Sequence, residues 1–359
     1  MKITHAAATL VSLPHDEPLA DGPTTPGSKN FIALKFGTDA GIEGIGFTFF
    51  GGSLDRALHA AVTDLAELCK GEDPLRLEHI TAKLRNSSPG GPGGILTLAM
   101  SAIDIALWDI KGKSLNLPVA TLAGGHRNTV DTYASGALMR HFPLDHVVRA
   151  AALLRSRGFR QMKTQLALPG ETSQVKEIER IRLIREAVGY ETDLMCDINQ
   201  RWDVRQAIAI GRQVDPLHLF WLEDVTTCDD YDGIAAISRA LDTPVACGEY
   251  LYGISPFRHL IEARAVDIVM IDVLRAGGIT QWLKIAGMAE AFNLPVVSHL
   301  APEIHVHLVS AVPNGLTVEY MPWSSRLFRE VVQPKDGKLT VPQKPGLGLE
   351  FDPKVVQFR

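Results

Sequence analysis

From about residue 129 onward the chain alternates short apolar runs with amphipathic stretches of helical period, and this alternation limits the fold more than any other feature. The apolar runs are TVDTYASG, FRQMKTQL, TDLMCD, HLFWLED, PVACGE, AVDIVMID, PVVSH and LTVEY. Between them lie segments such as QVKEIERIRLIREAV, DVRQAIAIGRQV and TQWLKIAGMAEAF, whose apolar residues recur three or four apart. Strands joined through helices run in one direction and build a parallel sheet. Seven or eight such units with short connections predict an α/β fold closed into a (β/α) barrel. The competing doubly wound open sheet would carry a Gly-rich phosphate-binding turn after an early strand, and none is present.

The first 125 residues read differently. MKITHAAATLVSL and NFIALKFGTDAGIEGIGFTFF alternate as strands, the second folding into a hairpin at Asp39-Ala40-Gly41. A polar loop, PHDEPLADGPTTPGSKN, separates them. Helical patterns follow at about 54–70, 75–86 and 97–113, with SSPGGPGG ahead of the last. These features predict an α+β domain over 1–125, the barrel over 126–325, and a C-terminal segment over 326–359. That segment contains QPKDGKLTVPQKPGLGLEF, of strand and turn composition, and is expected to pack back on the first domain. A length of 359 residues suits this division.

Bulk properties exclude several function classes. A formal charge of −5 without any basic run gives no footprint for a nucleic-acid partner. No apolar stretch is long enough to span a membrane, and the alternating N-terminus reads as a strand instead of a signal peptide. Cys69, Cys196, Cys228 and Cys247 lack metal-type spacing and read as reduced thiols of a cytoplasmic protein.

The strand ends carry the chemistry. TDLMCD ends at Asp197, HLFWLED near Glu223 and PVACGE at Glu249, each 26 residues from the next, which is one βα repeat. Neighbouring strand ends of a barrel open into one mouth at its C-terminal face. A single acid there is commonly a helix N-cap. Three on consecutive strands would repel one another unless a hard divalent cation such as Mg²⁺ joined them. Asp224, next to Glu223, should point to the other side of its strand. The next two strands end in Asp272 and His299, so Asp272 can accept the Nδ1 hydrogen of His299 and leave Nε2 aimed into the mouth as a general acid/base. His305 and His307 lie two apart in a helical segment, so they do not face one ligand and are read as core or surface residues. Glu319, on the expected eighth strand, can face the mouth. Lys163 and Gln165 share one face of the second barrel strand.

The ordered set KTQ, CDINQ, WLED, ACGE, the Asp272 strand followed by RAGGIT, and SHLAPEI resembles the enolase superfamily. Within it the likeness is to the mandelate racemase subgroup, the mandelate racemase/muconate lactonizing enzyme family. The resemblance covers nearly the whole chain. It implies a modified (β/α)7β TIM-type barrel under an α+β cap made by the N-terminal region and the C-terminal segment. It implies Mg²⁺ held by Asp197, Glu223 and Glu249, and a catalytic dyad of His299 and Asp272. Lys163 and Glu319 are implied contacts of a substrate carboxylate, Asn199 is an implied polar contact, and the loops at about 15–30 and FTFFGGS would close over the substrate. Relatives commonly form homo-oligomers, as dimers or octamers.

Two departures stand out. Val225 follows WLED where many relatives have Pro. Gln165 stands where relatives with two opposed bases carry a second lysine, and an amide cannot exchange protons near neutral pH. The leading expectation is therefore an acid-sugar dehydratase acting on an aldarate or aldonate, with one base, His299, and Gln165 as a substrate contact. The alternative is a racemase, epimerase or lactone cycloisomerase using Lys163 as second acid/base. A non-catalytic relative that binds a carboxylate is the third reading, opposed by the intact set of acids and the dyad.

Overall fold

The computed structural model describes residues 1–14, 19, 27–88, 93–168, 170 and 173–358; most of the polar loop expected at 15–30 and the centre of SSPGGPGG lie outside them. The chain begins with three antiparallel strands, β1 (Ile3–Pro14), β2 (Ser28–Thr38) and β3 (Glu43–Phe49), in the order β1-β2-β3. The hairpin between β2 and β3 turns where Gly41 takes a φ of +72°, a region open to glycine at little cost. Helices α1 (Asp55–Leu68), α2 (Leu77–Ser87), α3 (Gly94–Leu115) and the short α4 (Val119–Leu122) follow.

Helix α3 is apolar nearly all round, as a helix sandwiched between two layers must be. Its approach to the sheet depends on Gly46, where a Cβ would fall 2.0 Å from the Ala102 carbonyl oxygen. On the other side it grips the barrel. Buried Asp104 accepts from the Thr280 amide at 2.9 Å and its hydroxyl at 2.5 Å, and Trp108 Nε1 donates to the same hydroxyl at 2.9 Å.

The rest of the chain builds the barrel. Its strands are β4 (Thr129–Leu138), β5 (Gln161–Gln165), β6 (Asp193–Asp197), β7 (Trp221–Glu223), β8 (Val245–Cys247), β9 (Ile268–Asp272), β10 (Val296–His299) and β11 (Thr317–Tyr320). The helices between them are α5 (Leu144–Ser156), α6 (Gln174–Val188), α7 (Val204–Val214), α8 (Tyr231–Ala240), α9 (Ser255–Glu262), α10 (Val273–Ala276), α11 (Ile279–Ala291) and α12 (Pro302–Ala311). Strands β4 to β10 pair in parallel with their sequence neighbours, and β11 pairs with β4. The ring closes where the Val296 amide donates to the Asn314 carbonyl and the Leu316 amide to the Val296 carbonyl, both at 2.9 Å. Among the described residues no α-helix follows β11, only a single 3-10 turn at Ser325–Leu327, so the chain folds as the modified (β/α)7β barrel with an N-terminal cap.

Inward side chains fill the barrel with a core of its own: Tyr133, Met195, Trp221, Ala246, Ile268, Met270 and Val297. Trp221 is fully buried there, and Trp221→Ala is expected to cost about 3–5 kcal/mol. Helix starts follow local chemistry, as where Asp203 caps α7 by accepting from the Gln206 amide at 2.8 Å.

The C-terminal segment does more than return to the cap. Phe328 packs against Phe47 of the cap, strand β12 (Lys338–Thr340) then pairs antiparallel with barrel strand β4, and the chain returns to the first domain. There buried Asp109 of α3 accepts from the Leu347 amide at 2.9 Å and the Ile45 amide at 3.0 Å, joining the C-terminal segment, helix and cap sheet. Composition showed a strand but not its partner, since edge pairing is a long-range choice.

Candidate active site

The C-terminal ends of the barrel strands open into a cavity of about 970 Å³ beneath the cap. Lys163, Gln165, Asp197, Asn199, Glu249, His299 and Glu319 line its barrel side. Lys29, Asn30 and the Phe49–Ser53 stretch line its cap side, so the end of FTFFGGS lies over the barrel mouth. Strand register brings the site together: Gln165 pairs with Asp197, Asp197 with Glu223, and Asp272 with His299.

Asp197, Glu223 and Glu249 are each at most 3% exposed. Glu223 Oε2 accepts from Trp221 Nε1 at 2.9 Å, and its Oε1 accepts from Lys163 Nζ at 2.5 Å. Burial, with Asp197 and Glu249 nearby, still pushes the Glu223 carboxyl well above the usual range. Glu249 is likewise raised by burial, and its Oε2 has no hydrogen-bond donor, although His299 Nε2 lies 3.3 Å away. Buried acids held this far from their preferred charge state are a strained arrangement. A donor set made of carboxylate oxygens, some unpartnered, fits a hard divalent cation.

Asp224 differs from the expectation that it points away. One of its oxygens lies within 4.8 Å of oxygens from both Asp197 and Glu223, and neither of its oxygens has a hydrogen-bond partner. The reason is local backbone. Strand β7 ends at Glu223, and Asp224 takes a φ of +46°, so strand alternation no longer applies to it. It does not line the cavity.

On the far side, Asp272 Oδ2 lies 2.7 Å from His299 Nδ1, while its Oδ1 accepts from the Leu274 and Arg275 amides at 2.7 and 2.9 Å. The carboxylate that caps α10 thus also holds the imidazole. Burial opposes charge on both groups, but their mutual hydrogen bond prevails for Asp272, whose pKa falls to about 2. For His299 the Glu249 carboxylate and the Asp272 bond overcome burial and raise the pKa to about 9.

Lys163 Nζ also lies 2.9 Å from Glu319 Oε1. Burial disfavours the ammonium, yet Glu223 and Glu319 hold its pKa well above the ordinary lysine value. Glu319 Oε2 accepts from the Leu300 amide at 2.6 Å, and with Lys163 beside it the carboxyl drops to about 2 despite burial. Gln165 Nε2 donates to Asn199 Oδ1 at 3.1 Å, and Asn199 Nδ2 donates to Asp197 Oδ2 at 2.8 Å.

His305 and His307 are core residues of α12. His305 Nδ1 lies 2.7 Å from the Leu300 carbonyl, and His307 bridges the Ala120 amide and the Leu347 carbonyl. Burial lowers both to about 4. Sequence reasoning missed Arg140, Tyr250 and Arg275, which also line the cavity. Arg140 carried a usable signal, a charge two residues past a barrel strand end, and Arg275 of α10 carried another as the first residue of RAGGIT; the loop residue Tyr250 carried none.

Comparison with known proteins agrees with this fold. Residues 146–355 match the family described as "Enolase C-terminal domain-like". Residues 5–124 match "Mandelate racemase / muconate lactonizing enzyme, N-terminal domain". The chain is 33% identical to L-talarate/galactarate dehydratase of Salmonella typhimurium (strain LT2), over 97% of this chain and 88% of that protein. It is 31% identical to 3,6-anhydro-alpha-L-galactonate cycloisomerase of Streptomyces coelicolor, over 89% of each. The structure of L-talarate dehydratase from Polaromonas sp. JS666, complexed with Mg and L-glucarate, superposes with a TM-score of 0.91 at 33% identity, covering 99% of this chain and 96% of that one. The chain therefore belongs to the mandelate racemase/muconate lactonizing enzyme family of the enolase superfamily.

Proposed function

We propose that the protein is a Mg²⁺-dependent dehydratase of a sugar acid, which removes the proton α to the carboxylate and expels the β-hydroxyl to give a 2-keto-3-deoxy acid. The observation that carries this reading is one-sided proton chemistry. The imidazole of His299 is held by Asp272 at 2.7 Å, while the strand on the other side of the mouth presents the amide of Gln165. The sugar-acid dehydratases among the relatives support the same class.

Asp197, Glu223 and Glu249 would hold Mg²⁺, with Asp224 close behind two of them. When bound, the ion supplies positive charge for a substrate carboxylate as it takes on a second negative charge. Lys163 donates to an oxygen of that carboxylate from the cavity floor, and Glu319 fixes the lysine at 2.9 Å. Asp272 holds Nδ1, which leaves Nε2 to take the α-proton once the imidazole is neutral; the Glu249 carboxylate that favours the imidazolium would do so less with its charge spent on the cation. The enediolate then expels the β-hydroxyl, and the same Nε2–H protonates it to leave as water. The enol left behind tautomerises to the ketone. Gln165 and Asn199 hydrogen-bond substrate hydroxyls and exchange no proton.

The cycloisomerase among the relatives favours a second reading, isomerisation or cycloisomerisation with Lys163 as acid/base on the other face. The two carboxylates that hold Lys163 protonated oppose it. Sugar acids incubated with enzyme and Mg²⁺ in D2O separate the readings. A semicarbazide-reactive 2-keto product supports dehydration, and deuterium entering the α-carbon without elimination refutes it. The four cysteines are free, which supports a reducing, cytoplasmic setting. Among the described residues no helix is long and apolar enough to cross a membrane.

A further inference from the structure

Arg140 stands two residues beyond the end of β4, lines the cavity, and is only 9% exposed. Among the described residues no carboxylate pairs with it. Its Nη2 donates to Asn199 Oδ1 and, at 3.4 Å, to the Asp197 backbone carbonyl, and its buried Nε has no partner at all. A guanidinium carries five donors and a permanent charge, so burying it without an anion is costly. Burial, with Arg201 adding like charge, pulls its pKa below the usual value.

Buried Arg185 shows how a structural guanidinium is satisfied in the same barrel. It donates to the carbonyls of Leu217, Gly189, Thr192 and His218 at 2.6–2.9 Å. Arg127 and Arg180 also leave Nε unpartnered, but neither lines the cavity. The acids whose fields reach Arg140 are engaged elsewhere. Asp197 accepts from the backbone and side-chain amides of Asn199, and Glu177 accepts from the amides of Ala167 and Leu168 at 3.0 and 2.8 Å. Arg201 lines the same cavity and deepens the positive excess on this side.

That excess is not needed for the reacting carboxylate, whose place in the proposed function is beside Lys163. We propose that Arg140, backed by Arg201, receives a second carboxylate at the far end of the substrate, so that the sugar acid is oxidised at both ends. This rests on the dehydratase reading and decides between aldarates and aldonates within it. Asn199 bridges Arg140 and the Asp197 carboxylate, Gln165 donates to the same Asn199 oxygen, and the two amides would hold the hydroxyls of the intervening carbons. The guanidinium fork matches a terminal carboxylate in a two-bond geometry that a hydroxymethyl group cannot return.

The test uses matched pairs of hexaric and hexonic acids, such as galactarate and galactonate, with the Mg²⁺-loaded protein, Arg140→Gln and Arg140→Lys. Keto-acid formation gives kcat/KM, and calorimetry gives the affinity for each acid. The wild type is expected to prefer the diacid of its best pair. Arg140→Gln should shrink the diacid-to-monoacid ratio by about 10- to 100-fold, mainly through KM, and Arg140→Lys should restore part of it. A ratio unchanged in Arg140→Gln, or a monoacid preferred by the wild type, overturns the proposal while leaving dehydration standing. If no sugar acid is dehydrated, the function above fails, and the ratio of affinities alone decides whether Arg140 selects diacids. An unchanged melting temperature of Arg140→Gln separates lost recognition from lost folding.

Discussion

On one wall of the cavity β9 and β10 present Asp272 and His299; across the mouth β5 and β6 present Gln165 and Asn199. Both walls are hydrogen-bonded chains anchored on a buried carboxylate, Asp272 in one case and Asp197 in the other. Backbone in the left-handed region follows each, at Leu300 and Ala301 on the first wall and at Asn199 and Gln200 on the second. Such strained residues persist where surrounding structure holds them, and they cluster at functional sites. The walls differ in what they offer the substrate. One ends in an imidazole that can take or give a proton, the other in amides and a guanidinium that can only bind. Under the proposed function, similar scaffolding would serve chemistry on one face and recognition on the other.

Exchanging the first wall should do the most harm. His299→Asn is expected to lose about 10³–10⁴-fold in kcat and all α-proton exchange in D2O, while Mg²⁺ binding by calorimetry stays normal. Exchange that continues at the normal rate would remove His299 as the base and undo the contrast between the walls. Gln165→Ala should cost about tenfold, felt mainly in KM, as loss of a neutral hydrogen bond does.

Metal removal tests what both walls lean on. Chelation should abolish turnover, and Mg²⁺ at 100 times its Kd should stabilise the fold by about 2.7 kcal/mol, read as a rise in melting temperature. Glu249→Gln should lose most of that rise; retaining it in full would exclude Glu249 from the metal site. Gln165→Lys sharpens the comparison from the opposite side. It is expected to introduce slow α-deuteration of a stereochemistry that the parent does not give, and a variant with only lower activity would identify Gln165 as a pure binding group.

A further effect lies outside the cavity, in α12. His305 and His307 are buried neutral, with pKa values near 4 against an ordinary 6.5. Below pH 6.5 the unfolded chain binds protons that the folded chain refuses, so stability falls as pH drops from 6.5 towards 4. Each histidine contributes roughly 3 kcal/mol of that loss by pH 4. Denaturant midpoints across this range should show the slope, and His307→Gln should flatten it. An unchanged slope would mean that His307 takes up its proton in the fold.

Much of the site was legible because barrel strands end at one face. Equal spacing placed Asp197, Glu223 and Glu249 at the barrel's C-terminal face, although the acids whose oxygens come within 4.8 Å of one another are Asp197, Glu223 and Asp224, and adjacent strand ends were enough to pair Asp272 with His299. Asp224 was misplaced because its left-handed backbone follows from the turn after β7, which strand period does not encode. Arg140 was passed over because burial without a partner is a property of the packed cavity, invisible in GALMRHF. The pairing of β12 with β4 was hidden for a related reason, since composition marks a strand without naming its neighbour.

Local pattern and register determined the barrel, the ring of acids and the absence of a second base at Gln165, because each depends on residue identity and on a repeat along the chain. Only the tertiary structure decided which charges remain without partners. That depends on which groups from distant strands meet after burial: Lys163 is enclosed by Glu223 and Glu319, while Arg140 is enclosed by an amide and a carbonyl. In a low-dielectric cavity that difference separates a neutralised cation from one poised for an anion.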